Sequence, residues 1–219
     1  MSMILNIDTA VEWASICLSR DGESIQYASC EQQKEQASWL HPAIKTMMEV
    51  SGFSFKDLSA IAVTIGPGSY TGLRIGLSAA KGLCYTLNIP IITVGTLEMM
   101  AFAVKEEAVE LICPMIDARR MEVYTAIYDR SMNELLPAQA MVLSESSFKE
   151  WLPKHSILFT GNGFRKSISS LEVPGSQFSS RIANASNLAQ LSHIKYDKKL
   201  ISDPAYSEPL YIKDFHFGA

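Results

Sequence analysis

The sequence lacks most of the features that mark the common functional classes. No apolar run approaches the ~20 residues of a membrane-spanning helix, so no membrane association is expected. The opening Met1-Ser2-Met3-Ile4-Leu5-Asn6-Ile7-Asp8 carries no basic segment and meets an acid almost at once, unlike a signal peptide. Cys17, Cys30, Cys84 and Cys113 form no CxxC and no paired spacing, and three of them sit among apolar neighbours, as reduced thiols in a cytoplasmic protein would. His41, His155, His193 and His216 are scattered, with no pair at helical ligand spacing and no HExxH, so no metal site is expected. No nucleophile elbow surrounds Ser69 or Ser180. A surplus of positive charge is missing too: the formal net charge is −4, and the short basic clusters are Arg119-Arg120 and Lys198-Lys199. A protein that grips nucleic acid unaided ordinarily shows a basic face. Any role in nucleic-acid chemistry would therefore lean on a partner for most of the binding.

What is present is an ordinary globular composition, 47% hydrophobic and 19% charged over 219 residues, enough for one large domain or two small ones. Ile4 to Thr9, Ala14 to Ser19 and Ser24 to Cys30 read as strands, with Arg20-Asp21-Gly22-Glu23 as a hairpin turn. Between Glu35 and Val50, Leu40, Ile44, Met47 and Met48 recur at helical spacing, and Ser51-Gly52 ends that helix. A strand over Ser59–Ile65, a helix over Ser69–Leu87 and a strand over Ile91–Val94 follow. A second series comprises a helix over Thr96–Lys105, strands over Leu111–Ile116, Glu122–Tyr128 and Ile157–Thr160, and a late helix over Ser186–Ile194. The tail from Asp203 to Ala219 reads as irregular.

The two halves resemble each other. Met3–Thr9 aligns with Ile112–Ala118, so Asp8 falls on Asp117, and Ala14–Leu18 then falls on Val123–Ile127 without a gap. Thr64-Ile65-Gly66-Pro67-Gly68 matches Phe159-Thr160-Gly161-Asn162-Gly163. Strand, Asp, hairpin, helix, strand, Gly-x-Gly, twice over, predicts a duplicated actin-like (ribonuclease H-like) α/β fold of the sugar kinase, Hsp70 and actin superfamily. The expected subdomains are 1–96 and 97–219.

The strongest local signal is Gly66-Pro67-Gly68-Ser69-Tyr70-Thr71-Gly72-Leu73-Arg74-Ile75-Gly76. A buried strand enters a glycine turn and a helix follows with Ser69 placed to cap it. That is either a cradle for a phosphate or carboxylate at the helix start, or an ordinary tight turn. It is not a P-loop and lacks the GxGxxG spacing. Gly72, Gly76 and Ala80 recur every four residues and leave one helix face bare for another helix. Asp8 stands where nucleotide-binding members of the superfamily place a phosphate-loop acid. The run after it, Thr9-Ala10-Val11-Glu12-Trp13, has no glycine and is bulky, so Asp8 reads as a residue that fixes a turn in preference to one that serves metal or phosphate. At the matching turn, Asp117-Ala118-Arg119-Arg120 offers arginines to a phosphate or a partner carboxylate, or simply to solvent.

Together, Ile7-Asp8-Thr9, the long glycine motif and Asp117-Ala118-Arg119-Arg120 with Glu122-Val123-Tyr124 resemble the bacterial TsaB (YeaZ) family almost end to end, including the tail Pro209-Leu210-Tyr211-Ile212. The resemblance implies a non-catalytic partner of a TsaD-like catalytic subunit. With it and a TsaE-like ATPase, such a chain serves threonylcarbamoylation of the adenosine beside the anticodon in tRNAs reading codons that begin with A. TsaD holds its metal with paired histidines on the helix corresponding to Glu35–Val50, where this chain has only His41. The resemblance further implies a homodimer when alone, contact with tRNA only through the complex, no cofactor on the isolated chain, and any nucleotide at the partner junction. Family members pair through the two N-terminal helices, so Trp39, Leu40, Ala43, Met47, Gly72, Leu73, Gly76 and Ala80 are the expected interface. Asp8, Gly66, Gly68, Ser69, Asp117 and Arg119 are the expected anion-facing turns. The alternatives are an active small-molecule kinase or ATPase of the same superfamily and, further off, a metallopeptidase.

Overall fold

The structure, a computed structural model, describes residues 1–144, 146–167 and 174–213. Ten strands form two five-stranded mixed sheets. The first contains β1 (Met3–Asp8), β2 (Ala14–Arg20), β3 (Glu23–Cys30), β4 (Ala60–Gly66) and β5 (Ile91–Gly95) in the order β3-β2-β1-β4-β5. The second contains β6 (Leu111–Asp117), β7 (Glu122–Asp129), β8 (Glu134–Val142), β9 (Ile157–Gly161) and β10 (Ser176–Ser179) in the order β10-β9-β6-β7-β8.

Read from its other edge, the second order repeats the first, and every pairing matches in direction. β1–β2 and β6–β7 are antiparallel, as are β2–β3 and β7–β8. β1–β4 and β6–β9 are parallel, as are β4–β5 and β9–β10. Asp8 and Asp117 end equivalent central strands. Gly66 and Gly161 end the next pair, both at positive φ (129° and 93°), a region that a side chain rarely enters. This is the duplicated actin-like fold that the internal repeat predicted. Two strands, β8 and β10, carry no expectation from the sequence. β8 is an edge strand with mostly half-exposed residues and Pro137 within it, so neither alternation nor apolar content marks it.

Among the described residues the α-helices are α1 (Gln36–Ser51), α2 (Tyr70–Leu87), α3 (Thr96–Val104) and α4 (Ala185–Asp197). The periodic residues Leu40, Ile44, Met47 and Met48 bury one side of α1 against Leu5, Ile7, Ile16, Leu18, Ile61 and Val63. Gly52, left-handed at φ 74°, ends it. The opposite residues of β1 and β2 face α4, where Cys17 packs on Ala185 and Ala189. Buried Asn6 donates to the carbonyls of Ile4 (3.2 Å) and Cys17 (3.1 Å) and to Ser19 Oγ (2.9 Å), and accepts from Ser192 Oγ (2.6 Å). Alternation along β1 therefore dictates a sheet covered on both faces.

The chain divides into two compact units, Met1–Met99 with Ala183–Leu210, and Met100–Ile182 with Tyr211–Ala219. This corrects the expected division into 1–96 and 97–219: α4 and the segment after it belong to the first sheet. Ser202 pairs with Ile91, the Lys81 ammonium donates to the carbonyls of Ala205 and Ser207, and the Leu210 N–H donates to the Ile65 carbonyl at 2.7 Å. The irregular reading of the tail extends to residues 214–219, which lie outside the described residues. The second unit has its own core, in which Phe159 meets Phe148 edge-on at 5.4 Å and stacks on Phe178 at 5.7 Å.

Candidate functional site: two equivalent turns and a helical groove

The first candidate is the turn between β4 and α2. Ser69 caps α2 as expected, its Oγ accepting from the Gly72 N–H at 3.2 Å. The space over the helix start is filled by the chain itself. The Ala10 carbonyl accepts from the Ser69 N–H at 2.7 Å, and the Thr9 hydroxyl donates to the Gly72 carbonyl at 2.7 Å. A Cβ on Gly68 would strike the Ala10 carbonyl, one on Gly72 the Thr9 carbonyl, and one on Gly66 the Leu210 carbonyl. The glycines thus admit backbone, and the anion-facing reading of Gly66, Gly68 and Ser69 is overturned. The Ser69 N–H, which could have met a phosphate, already donates to the Ala10 carbonyl.

Asp8 is corrected with them. It is 1% exposed, and its Oδ1 accepts from Thr64 Oγ1 at 2.7 Å and from the Ala10 N–H at 3.2 Å. It therefore fixes the Thr9-Ala10 turn, the second of the two readings. Burial pushes its carboxyl up to about 6 against those two hydrogen bonds, which pull it down.

The expected interface residues divide. Gly72, Gly76, Ala80 and Leu73 are buried in their own unit, Gly76 so closely that a Cβ would meet Thr9 Oγ1 and then Ile7. Leu40 and Met47 belong to the core. The bare face of α2 admits a close approach, but what approaches is β1 and its following turn, not the helix that the stripe of small residues predicts. Trp39 and Ala43 lie half-buried on the far side of α1, where a groove of ≈ 490 Å³ runs beside Tyr27, Pro42 and Val50 of the same unit.

The larger groove, ≈ 970 Å³, lies between α1 and α2. Ala37 and His41 line one wall, and Tyr70, Arg74, Ile75, Ser78, Gly82 and Leu83 the other. The Arg74 guanidinium stands 3.8 Å over the Tyr70 ring. A Cβ on Gly82 would meet nothing within 4 Å. Ser78 and Gly82, four residues apart on the outward side, are the small residues that leave this face open, and the sequence reading missed them. The same i, i+4 signal was present there, masked by the richer stripe on the inward side.

The second turn differs from the first. Asp117 is 37% exposed at its side chain and forms an ion pair with Lys166. Its N–H donates to Asn162 Oδ1 at 2.9 Å, and its carboxylate accepts from the Arg119 N–H at 2.6 Å. Desolvation alone would raise its carboxyl, but Lys166 and Arg119 together hold it below the usual carboxylate range. Arg119 is exposed.

Burial pushes the Cys113 thiol up to about 12 and the Cys84 thiol to about 11, well away from nucleophilic service. Among the described residues no group of three or more His, Cys, Asp or Glu assembles that could hold a metal ion, and no helix is long and apolar enough to cross a membrane.

Comparison with known proteins gives these features a context. The family model described as TsaD, tRNA N6-adenosine threonylcarbamoyltransferase, matches residues 30–154, more than half of the chain. The tRNA threonylcarbamoyladenosine biosynthesis protein TsaB of Bacillus subtilis is 37% identical over 145 residues, 65% of this chain and 63% of that protein. The Escherichia coli protein of that name is 39% identical over 132 residues, 59% of this chain and 56% of its own. These matches thus span about three fifths of those relatives. The TsaB of Haemophilus influenzae aligns over 96% of this chain and 93% of its own length at 27% identity. Among solved structures, YeaZ from Pseudomonas aeruginosa superposes with a TM-score of 0.82 at 25% identity, over 96% of this chain and 100% of that one. The chain belongs to the family that the TsaD model describes and, within it, to the TsaB (YeaZ) proteins.

Proposed function

We propose that this chain is a catalytically inactive subunit of a threonylcarbamoyltransferase complex, serving with a TsaD-like catalytic subunit and a TsaE-like ATPase. The product is threonylcarbamoyl-adenosine beside the anticodon of tRNAs that read codons beginning with A. The observation that carries the reading is the occupied turn after β1. The Thr9 and Ala10 backbone lies over the start of α2, and its carbonyls would repel the oxygens of a triphosphate. That counts equally against the kinase or ATPase alternative. The names of the relatives point to the pathway, and the TsaD family model to the class of the partner.

The groove between α1 and α2 is the docking face in this reading. Its open floor at Ser78 and Gly82 suits close approach of a partner helix, and its apolar lining supplies the driving force. The same face would close a homodimer when the chain is alone. In this reading the complex meets its tRNA in the cytoplasm. The isolated chain carries no cofactor, and a nucleotide bound by the complex sits at the junction with the partner.

The test is co-purification of the tagged chain from its own cells with partners identified by mass, beside ATP turnover of the purified chain. The expected result is a TsaD-like protein in stoichiometric yield and no ATP hydrolysis above background. ATP hydrolysis abolished by Asp8→Ala would restore the kinase alternative.

A further inference from the structure

Two hairpin turns of this molecule adopt the same unusual backbone with opposite chemistry. Between β2 and β3, Asp21 and Gly22 are both left-handed, at φ 50° and 84°. Asp-Gly is what such a turn prefers, because two successive positive φ angles suit residues with little or no Cβ conflict. Between β6 and β7 the same left-handed pair is Arg119 and Arg120, at φ 69° and 50°. They are the only two consecutive non-glycine residues with positive φ among the described residues. An arginine gains nothing from that backbone, so a local rule is broken without a local benefit.

The surroundings hold the turn in place. The Ala118 N–H donates to the Glu122 carbonyl at 3.0 Å, and the Glu122 N–H to the Arg119 carbonyl at 3.1 Å. Lys166 reaches in from the segment after β9, pairing with Asp117 and donating to the Arg120 carbonyl at 2.7 Å. Glu122 is paired with Lys213. Among the described residues Asp117 and Glu122 thus each have an ammonium partner, and Arg119, Arg120 and, adjoining Lys166 in the chain, Arg165 are exposed cations. Among the described residues none of these three forms an ion pair. A local surplus of three positive charges stands on a chain whose net charge is −4. The two exposed arginines stand at a hairpin tip, which suits a polymer passing over it better than a small molecule enclosed in it.

We propose that the Arg119-Arg120 turn, with Arg165 next to the bracing Lys166 in the chain, is a contact for the phosphodiester backbone of RNA. The proposal rests on the tRNA-modifying reading above and goes beyond it, since that reading gives tRNA no direct contact with this chain. Guanidinium groups offer paired N–H donors that match two phosphate oxygens, and they keep their charge at any pH the protein meets. The braced turn fixes where both groups start, which lowers the ordering cost of each contact. With few charges engaged, the contact aligns RNA that the partner holds more strongly.

The test is titration of a fluorescein-labelled, unmodified tRNA transcript with the chain alone and with its co-purified complex, at several salt concentrations. Three variants are compared with the parent. Arg119→Gln/Arg120→Gln removes the charges. Arg119→Asn/Arg120→Gly removes them while supplying residues the turn prefers, so its melting temperature should equal or exceed the parent's. Lys149→Gln/Lys154→Gln removes the same charge from exposed positions elsewhere in that unit. Both arginine variants should bind RNA at least tenfold more weakly, lower the salt slope by about one to two, and co-purify with the partner undiminished. The lysine variant should bind like the parent, and millimolar ATP should not displace the RNA. Parental affinity and slope in the arginine variants would overturn the proposal. So would an equal loss in the lysine variant, loss of the partner, displacement by ATP, or no RNA binding by the parent in either form. Should no partner co-purify, the functional reading fails, and the titration of the chain alone still decides the turn.

Discussion

At the residue scale, Asp8 shows what burial does to a carboxyl that serves a turn. Its folded value of about 6 lies above the ordinary 3.8, so the folded chain binds more protons than the unfolded chain between those values. Stability from this group is greatest below pH ~3.8, falls as pH rises, and by pH 7 has lost on the order of 3 kcal/mol. Asp8→Asn retains an oxygen for Thr64 and the Ala10 N–H but has no charge to desolvate. Urea unfolding at pH 4.5 and 7.5 should therefore show the variant gaining on the parent as pH rises. An unchanged difference between the two pH values would mean that Asp8 is solvated in the native state.

For the elements, the informative comparison is between two glycines of one helix. Gly76 faces inward on Thr9, and Gly82 faces the groove with nothing near it. Gly76→Leu should leave little folded protein, because the side chain meets β1 and its turn, at a cost well above the ~1–3 kcal/mol of ordinary overpacking. Gly82→Ala should stabilise the isolated chain by ~0.5–1 kcal/mol through helix propensity alone. Gly82→Leu should fold normally and fail to dimerise or bind the TsaD-like partner. Circular dichroism and sedimentation separate these outcomes, and a folded Gly82→Leu that still associates would move the interface off this groove. α1 and α2 were readable from the sequence because their apolar residues recur at 3.6 and Gly52 and Asn88 end them. Which side of α2 meets the sheet was not. A four-residue stripe of small residues states that something comes close, and Thr9 is the neighbour only after the chain has folded back by more than sixty positions.

For the whole molecule, the late helix is the test of how the units are built. α4 covers the Asn6–Cys17 side of the first sheet, and Asn6 loses its Ser192 donor without it. A chain ended after Ile182 should expose that face and leave a buried polar network half-satisfied. It should aggregate or bind a hydrophobic dye, whereas supplying residues 183–213 as a separate peptide should restore solubility. A soluble, cooperatively folding truncated chain would show that α4 is an accessory to the first unit.

The sequence by itself determined the repeated topology, because strand periodicity, an acid at a strand end and a Gly-x-Gly turn are local patterns, and each half carries them in the same order. It also determined the composition of both turns. Only the tertiary structure decided that Thr9 and Ala10 close the first turn, that Arg119 stands exposed at the second, that Ser78 and Gly82 floor the groove, and that α4 returns to the first sheet. Those outcomes rest on which surfaces meet over long separations along the chain, and identical local patterns are compatible with a filled turn or an open one.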